Sequence, residues 1–238
     1  MTPDFSYSVN NADPSEKKRF IRGMFDSIVP TYDLLNRLLS AGIDRSWRKF
    51  VLEKAGAQRG KKALDLCCGT GDLSIKLYRT GTTLVSLDFS IEMLARGRQR
   101  GWLRGEVIAA DASKLPFRND AFDLLTIAFG VRNIPDIDLF MSEAFRAARP
   151  GGRLIILELT RPANPLVRAV YNFYLRFVLP MAGGIVSGKW AAYRYLSRTI
   201  ETFLDPDDLA ARLKKAGFVK VEINRLTFGI ATVICCDK

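Results

Sequence analysis

Between residues 62 and 160 short apolar runs alternate with helical patterns, and this alternation limits the fold more than any other feature of the chain. "KALDLCC" reads as a strand and "DLSIKLYR" as a helix; "TLVSLDFS" and "IEMLARGRQ" repeat the pair. "GEVIAAD" and "FDLLTIAFG" are strands, and the helix "DIDLFMSEAFRAA" leads through "PGG" into the strand "RLIILEL". Strands that are apolar throughout and separated by helices belong to a parallel sheet covered on both faces. Further on, "DPDDLAARLKKAG" has the acidic start and glycine stop of a helix, and "FVKVEINRL" and "GIATVICC" are strands. The reading is a doubly wound α/β sheet of seven strands, the last antiparallel.

Two helical stretches lie outside this pattern. In residues 13–56, Phe20, Met24 and Ile28, with Ile21 and Phe25, form one apolar stripe, and Trp47, Phe50 and Val51 share a face further on. Residues 161–198 are a second helical region, inserted before the last helix. The predicted organisation is a single domain over residues 1–238. Residues 57–160 and 199–238 form its sheet core, 13–56 cover it, and 161–198 are an insert.

"LDLCCGTGD" (64–72) leaves the first strand and enters a helix, where nucleotide-type turns occur. Ser74 stands where a dinucleotide fingerprint has its third glycine, and no lysine follows the glycines as in a Walker A loop. An acid ends the second strand: Asp88, 19 positions past Gly69, where a carboxylate accepts ribose hydroxyls. Asp111 and Ala112 end the third strand, near the expected place of an adenine.

The four cysteines form two vicinal pairs and the chain has no histidine. That rules out mixed Cys/His zinc sites, and vicinal pairs suit a tetrahedral Cys₄ site poorly, so no metal is expected. Cys67–Cys68 and Cys235–Cys236 are read as small apolar residues in buried strands. The N-terminus is polar with no secretion-signal pattern. The most apolar stretch, 166–182, carries Arg168, Asn172, Arg176 and Pro180 and is read as short of a spanning helix. The net charge of +11 is uneven: +4 over residues 16–54 and +6 over 161–198, where there is no acid. Such segments suit an anionic surface.

An acid before the glycines (Asp65) and acids after strands two and three resemble the class I S-adenosylmethionine-dependent methyltransferases, with their Rossmann-like sheet. Cys67 departs from the first glycine of their usual turn. Four further stretches, "YDLLNRLLSAGIDRSW" (32–47), "AFGVRNIPD" (128–136), "RAARPGGRLIILELT" (146–160) and "YRYLSRTIETF" (193–203), resemble the ubiquinone/menaquinone biosynthesis C-methyltransferase family. The resemblance covers about Phe20 to Ile234. This chain has Leu35 for the family's Met, Asp44 for its His, Ala128 for a frequent Ser, and Glu158-Leu159-Thr160 for E-F-S.

The resemblance implies S-adenosylmethionine as cofactor, with Asp65, Gly69, Thr70, Gly71, Asp88, Asp111, Ala112 and Ala128 around it. It implies transfer of a methyl group to a ring carbon of a polyprenyl quinol, demethylmenaquinol foremost, with a 2-polyprenyl-6-methoxy-1,4-benzoquinol as the alternative. Arg132, just past strand four where open α/β sheets bind ligands, is the candidate for stabilising the phenolate, with Asn133 positioning it. Tyr32 and Asp33 belong to a helical lid, and Arg168 and Tyr193 to the quinol side of the insert. The aromatic, basic insert suits a lipid substrate and reversible association of a cytoplasmic protein with the inner membrane surface. A homodimer is compatible with the chain. Two rivals fit less well. An amino-directed nucleic-acid methyltransferase would carry an N-P-P-Y-like segment where this chain has "FGVRN", and a cytosine C5 enzyme would need a nucleophilic Cys, usually after a Pro, which neither Cys pair supplies. A non-enzymatic module would have no need of Gly69, Gly71, Asp88 and Asp111 together.

Overall fold

A computed structural model describes residues 14–56 and 59–238. The N-terminal stretch read as polar and signal-free falls largely outside them. Three helices come first: α1 (Pro14–Ile28), α2 (Tyr32–Leu39) and α3 (Asp44–Ala55). The alternating region follows as β1 (Lys62–Leu66), α4 (Ser74–Arg79), β2 (Thr83–Asp88), α5 (Ile91–Gln99), β3 (Glu106–Ala109), β4 (Phe122–Ala128), α6 (Ile137–Ala147) and β5 (Ala148–Leu159). The insert is α7 (Pro165–Phe173), a π turn (Tyr174–Val178), α8 (Leu179–Ser187) and α9 (Trp190–Thr202), and α10 (Pro206–Lys215), β6 (Val219–Leu226) and β7 (Ala231–Asp237) close the chain.

The seven strands form one sheet in the order β3-β2-β1-β4-β5-β7-β6, with β7 antiparallel to both neighbours. The last strand is therefore not the edge. β7, "ATVICC", is buried along its length, whereas β6 alternates exposed and half-buried residues, so the apolar strand goes inside and β6 takes the edge. Successive strand residues face opposite layers. Leu64 and Leu66 pack under α6 and α10 with Phe140 and Leu213, while Ala63 faces α3 and α4 with Trp47, Val51 and Leu77. A third cluster sits outside the sheet, where Met24 and Ile28 of α1 meet Tyr171, Leu175, Tyr193 and Ile200 of the insert.

Two sequence expectations need correction. Cys235 and Cys236 are buried in β7, but Cys67 and Cys68 are half-buried in the turn after β1 rather than in a strand. The strand ends at Leu66 because Cys67 takes a left-handed conformation, φ +51°, which no strand continues through. The helix read as short of a membrane span is in fact continuous from Pro165 to Ser187, 23 residues, long and apolar enough to cross a membrane by length and composition; about a third of it is buried in the protein. Pro180 does not break it. The wider π turn lies where the proline ring would otherwise meet the carbonyl of Arg176.

Candidate active site

The glycine turn works through backbone conformation. Cys67, Gly69 and Gly71 all have positive φ, and a Cβ on Gly71 would lie 2.6 Å from Leu103 Cδ2. The turn points its amides toward the end of β2, where Gly69 N donates to Asp88 Oδ2 at 2.8 Å and Ser90 N donates to Asp88 Oδ1 at 2.9 Å. Asp65 lies beneath the turn and accepts from Ser74 Oγ at 2.5 Å and Thr126 Oγ1 at 2.8 Å. Burial, only partly offset by these hydrogen bonds, pushes both Asp65 and Asp88 up to about 6. Asp111, beyond β3, behaves differently. Partial burial pushes it up, but Lys18 Nζ at 2.5 Å and Ser113 N at 2.8 Å outweigh this and leave it below the ordinary carboxylate value. Ala112 turns into the core beneath, and Ala128 lines the wall of the turn at the end of β4. The thiols of Cys67 and Cys68 are pushed well up, by burial first and then by Asp88 and Asp65, so neither is a thiolate near neutrality.

The first two helices are pinned across this edge. Thr70 Oγ1 donates to Asp33 at 2.6 Å, Arg100 pairs with Asp33, Ser90 Oγ donates to Asp26 at 2.5 Å, and Lys18 holds Asp111. The cavity left at the turn is only about 30 Å³. Beside it, between α1, α2, α7, α9 and the ends of β4 and β5, lies an apolar cavity of about 640 Å³. Met24, Tyr171, Tyr193 and Ile200 line its depth, and its polar residues include Tyr32, Asn36, Asp44, Arg48, Arg132, Asn133 and Thr227. Tyr193 fits because Gly183 faces it: a Cβ there would be 2.3 Å from the ring.

Arg132 is not a surface arginine. Its side chain is 7% exposed and forms an ion pair with Glu158, which is 1% exposed. Glu158 also accepts from the backbone amides of Arg132 at 3.2 Å and Leu159 at 2.9 Å, while Arg132 Nη1 donates to the Phe129 carbonyl at 3.1 Å. Arg132 Nε has no partner among the described residues. The preceding Phe129 has φ +61°, the kind of backbone strain that collects at functional sites. Tyr195 Oη donates to Asn133 Oδ1 at 3.4 Å. Burial raises the Tyr32 phenol, against a hydrogen bond from Asn36 and the positive fields of Arg132 and Arg48.

The structure thus brings Asp65, Gly69, Thr70, Gly71, Asp88, Asp111, Ala112 and Ala128 to one edge, and Tyr32, Arg132, Asn133 and Tyr193 to the adjoining cavity. Asp33 is in the closure between them. Arg168 does not reach the apolar cavity. It lines a separate pocket of about 440 Å³ with Arg161, Asn172, Arg176 and Glu201, because on α7 the residue buried against the protein is Tyr171. Sequence reasoning missed Glu158, Lys18 and Arg48. For Arg48 a signal existed: it follows Asp44 by four residues, one helical turn. Nothing in the sequence marked Lys18 as the partner of Asp111. No cluster of three or more His, Cys, Asp or Glu suited to a metal occurs among the described residues.

A glycine turn after the first strand, acids at the ends of the next two, and a penultimate sheet position taken by an antiparallel β7 define the class I methyltransferase fold. The same fold is seen in an S-adenosylmethionine-dependent methyltransferase from Thermotoga maritima, with a TM-score of 0.65 at 18% identity over 91% of this chain and 99% of that one. Residues 12–238 match the ubiE/COQ5 methyltransferase family, and the chain belongs to that family of enzymes. Among similar proteins, the demethylmenaquinone methyltransferase of Thermus thermophilus is 43% identical over 90% of this chain and 100% of its own length. The ubiquinone/menaquinone biosynthesis C-methyltransferase UbiE of Geotalea daltonii is 39% identical over 94% and 98%.

Proposed function

We propose that the protein methylates a ring carbon of a polyprenylated quinol, converting demethylmenaquinol to menaquinol with S-adenosylmethionine as donor. The observation that carries this reading is the 640 Å³ apolar cavity, whose cationic and hydroxyl groups include two, Tyr32 and Arg48, that also line the cavity at the glycine turn. The residues at the turn fit the donor. Asp88 spends one lone pair of each oxygen on backbone amides and keeps others for ribose hydroxyls. When bound, S-adenosylmethionine supplies an electrophilic methyl on a sulfonium.

The chain's own residues account for the rest. Arg132 keeps a fixed positive charge at the polar end of the cavity, held in place by Glu158, and stabilises the quinol oxygen as a phenolate. The hydroxyl proton passes to water; the ring carbon of the phenolate then takes the methyl as the methyl–sulfur bond breaks, and it loses its own proton as the oxygen is reprotonated, so one proton is released overall. Asn133 and Tyr32 orient the ring, and the apolar walls exclude water. Asp111 is held by Lys18 and Thr70 by Asp33, and these bonds yield where the donor binds.

A membrane-docked enzyme in the cytoplasm is part of this reading. In the expected basic insert, Arg161 pairs with Asp205, whereas Arg168 and Arg176 have no ion pair among the described residues. The exposed face of α7 and α8 carries Leu166 (75% exposed), Val170, Phe173, Phe177 and Ile185, and Leu166 and Val170 also line the cavity. The other face, with Tyr171, Leu175 and Leu179, is packed in the protein, so the helix lies along the lipid surface rather than through it. A prenyl tail passes from the lipid into the cavity between these residues.

The preference for the naphthoquinol rests on relatives such as the Thermus thermophilus enzyme, named for demethylmenaquinone; the Geotalea daltonii name keeps the benzoquinol as the second reading. The test is methyl transfer in mixed micelles to demethylmenaquinol and to 2-polyprenyl-6-methoxy-1,4-benzoquinol, with products identified by mass spectrometry. Faster methylation of the naphthoquinol is expected. Methylation of the benzoquinol alone would reverse the choice, and methylation of neither would overturn the assignment.

A further inference from the structure

Arg48 stands one helical turn after Asp44, on the buried face of α3. Its Nη1 donates to Asp44 Oδ2 at 2.5 Å, and Asp44 in turn accepts from Ser40 Oγ at 2.8 Å. The guanidinium carbon lies 5.0 Å from the centroid of the Phe129 ring. These contacts occupy one edge of the guanidinium. On the other edge Nε is buried with no acceptor at hydrogen-bond distance, and its contact there is the ion pair with Asp72 Oδ2 at 3.6 Å. Buried donors in folded proteins nearly always have a partner, so an orphaned one at a cleft marks a place where a ligand or water completes the bonding.

The cavity at the glycine turn contains acids from three places: Asp33, Asp65 and Asp72. They suit the sulfonium and the ammonium of S-adenosylmethionine, but they repel its carboxylate. Arg48 is the one cation among the described residues that line this cavity. It sits on α3, which packs on β5 and β7 of the sheet.

We propose that Arg48 binds the α-carboxylate of S-adenosylmethionine through the guanidinium edge that Asp44 leaves free. The inference rests on the cofactor reading above. A guanidinium matches a carboxylate with paired hydrogen bonds, and here Asp44 holds one side of the fork so that the other faces the ligand. Because Arg48 also lines the quinol-sized cavity, the clamp fixes how far the methionine end, and with it the methyl group, reaches toward the ring.

The test is isothermal titration of the purified protein with S-adenosylmethionine and with its decarboxylated analogue, which keeps the nucleoside, sulfonium and ammonium. Arg48→Gln should weaken S-adenosylmethionine binding by about 10- to 100-fold, the range for losing a charge-assisted bond, and change the analogue's affinity by less than about threefold. Since Arg48→Gln leaves Asp44 buried without its cation, the double variant Asp44→Asn/Arg48→Gln removes both charges, and it should show the same selective loss with an intact thermal transition. Equal weakening of both ligands would overturn the assignment and leave Arg48 a structural residue. Unchanged binding of S-adenosylmethionine with lost turnover would overturn it too, and move Arg48 to the quinol. Wild-type protein that binds neither ligand would overturn the cofactor reading itself.

Discussion

The two halves of the site are built in different ways. The donor half is a backbone structure: three residues with positive φ, amides aimed at Asp88, and carboxylates at the ends of three adjacent strands. The acceptor half is a side-chain structure, a cavity left between helices from the two ends of the domain, walled by Met24, Tyr171, Tyr193 and Ile200. The first half is local in sequence and polar; the second is distant in sequence and apolar. A polar ligand needs bonding groups at set positions, which a short motif on a rigid sheet edge supplies. A prenyl chain needs only volume and dryness, which many combinations of large side chains provide. Arg132 lines the apolar cavity and Glu158 pairs with it, yet both hang from the same sheet edge as the glycine turn, at the ends of β4 and β5.

The sharpest way to break this division is Arg132→Ala. If the arginine serves the acceptor half, kcat falls by about a hundredfold or more, the scale for losing one preorganised electrostatic group, while donor affinity stays within about threefold. A loss seen only in donor binding would put Arg132 on the other side. Glu158→Ala in the same assays should lower turnover and also destabilise the fold by about 3–5 kcal/mol, because it leaves Arg132 buried without its partner. Thermal melts read the second effect separately.

Asp88 tests the donor half. Asp88→Ala should weaken S-adenosylmethionine by about 10- to 100-fold, the range for charge-assisted hydrogen bonds, with the quinol KM unchanged. The pH dependence runs the same way. Asp65 and Asp88 titrate near 6 in the folded protein, above their unfolded value of 3.8, so the fold takes up protons more readily than the unfolded chain. Their contribution to stability is therefore full below the unfolded value and is lost as pH rises through about 6. Donor binding has the opposite sign, because it uses the carboxylate: below about 6 affinity should fall by up to about tenfold per pH unit for each group. Titration between about pH 5 and pH 8 reads this, and Asp88→Asn should flatten the profile. A wild-type profile flat across that range would leave Asp88 out of the donor half.

The smallest effect concerns the outer surface of the acceptor half. Replacing Arg168 and Arg176 with Glu should weaken binding to anionic liposomes, since each basic residue near such a surface contributes about 1 kcal/mol, and salt should weaken the wild type likewise. Activity on long-tailed quinols should drop and activity on a short-tailed soluble analogue should stay. Equal co-sedimentation with neutral and anionic vesicles at low and high salt would remove the arginines from the docking surface and leave the exposed stripe of α7.

Much of the geometry of the glycine-turn half was legible because its information is local. The spacing from Gly69 to Asp88 reflects one strand–helix–strand unit, whose length the parallel sheet dictates, so the two ends had to meet. The strand pattern itself follows from apolar runs that only a doubly covered sheet can bury. Tertiary structure decided the rest. Whether β7 or β6 takes the edge depends on which buries more apolar surface against β5, a comparison between strands that no single window contains. The burial of Arg132 by Glu158, of Asp111's charge by Lys18, and of Arg48 at the junction of two cavities depends on pairs separated by 26 and 93 residues or on elements that meet only after packing. Helical periodicity placed Arg168, Asn172 and Arg176 on one face of the insert, but only the packing of Tyr171 and Leu175 against α1 and α9 decided that this face looks away from the cavity. Periodicity sorts residues by face because it is a property of one helix; which face turns inward is settled by the apolar surface that the neighbouring helices have left to bury.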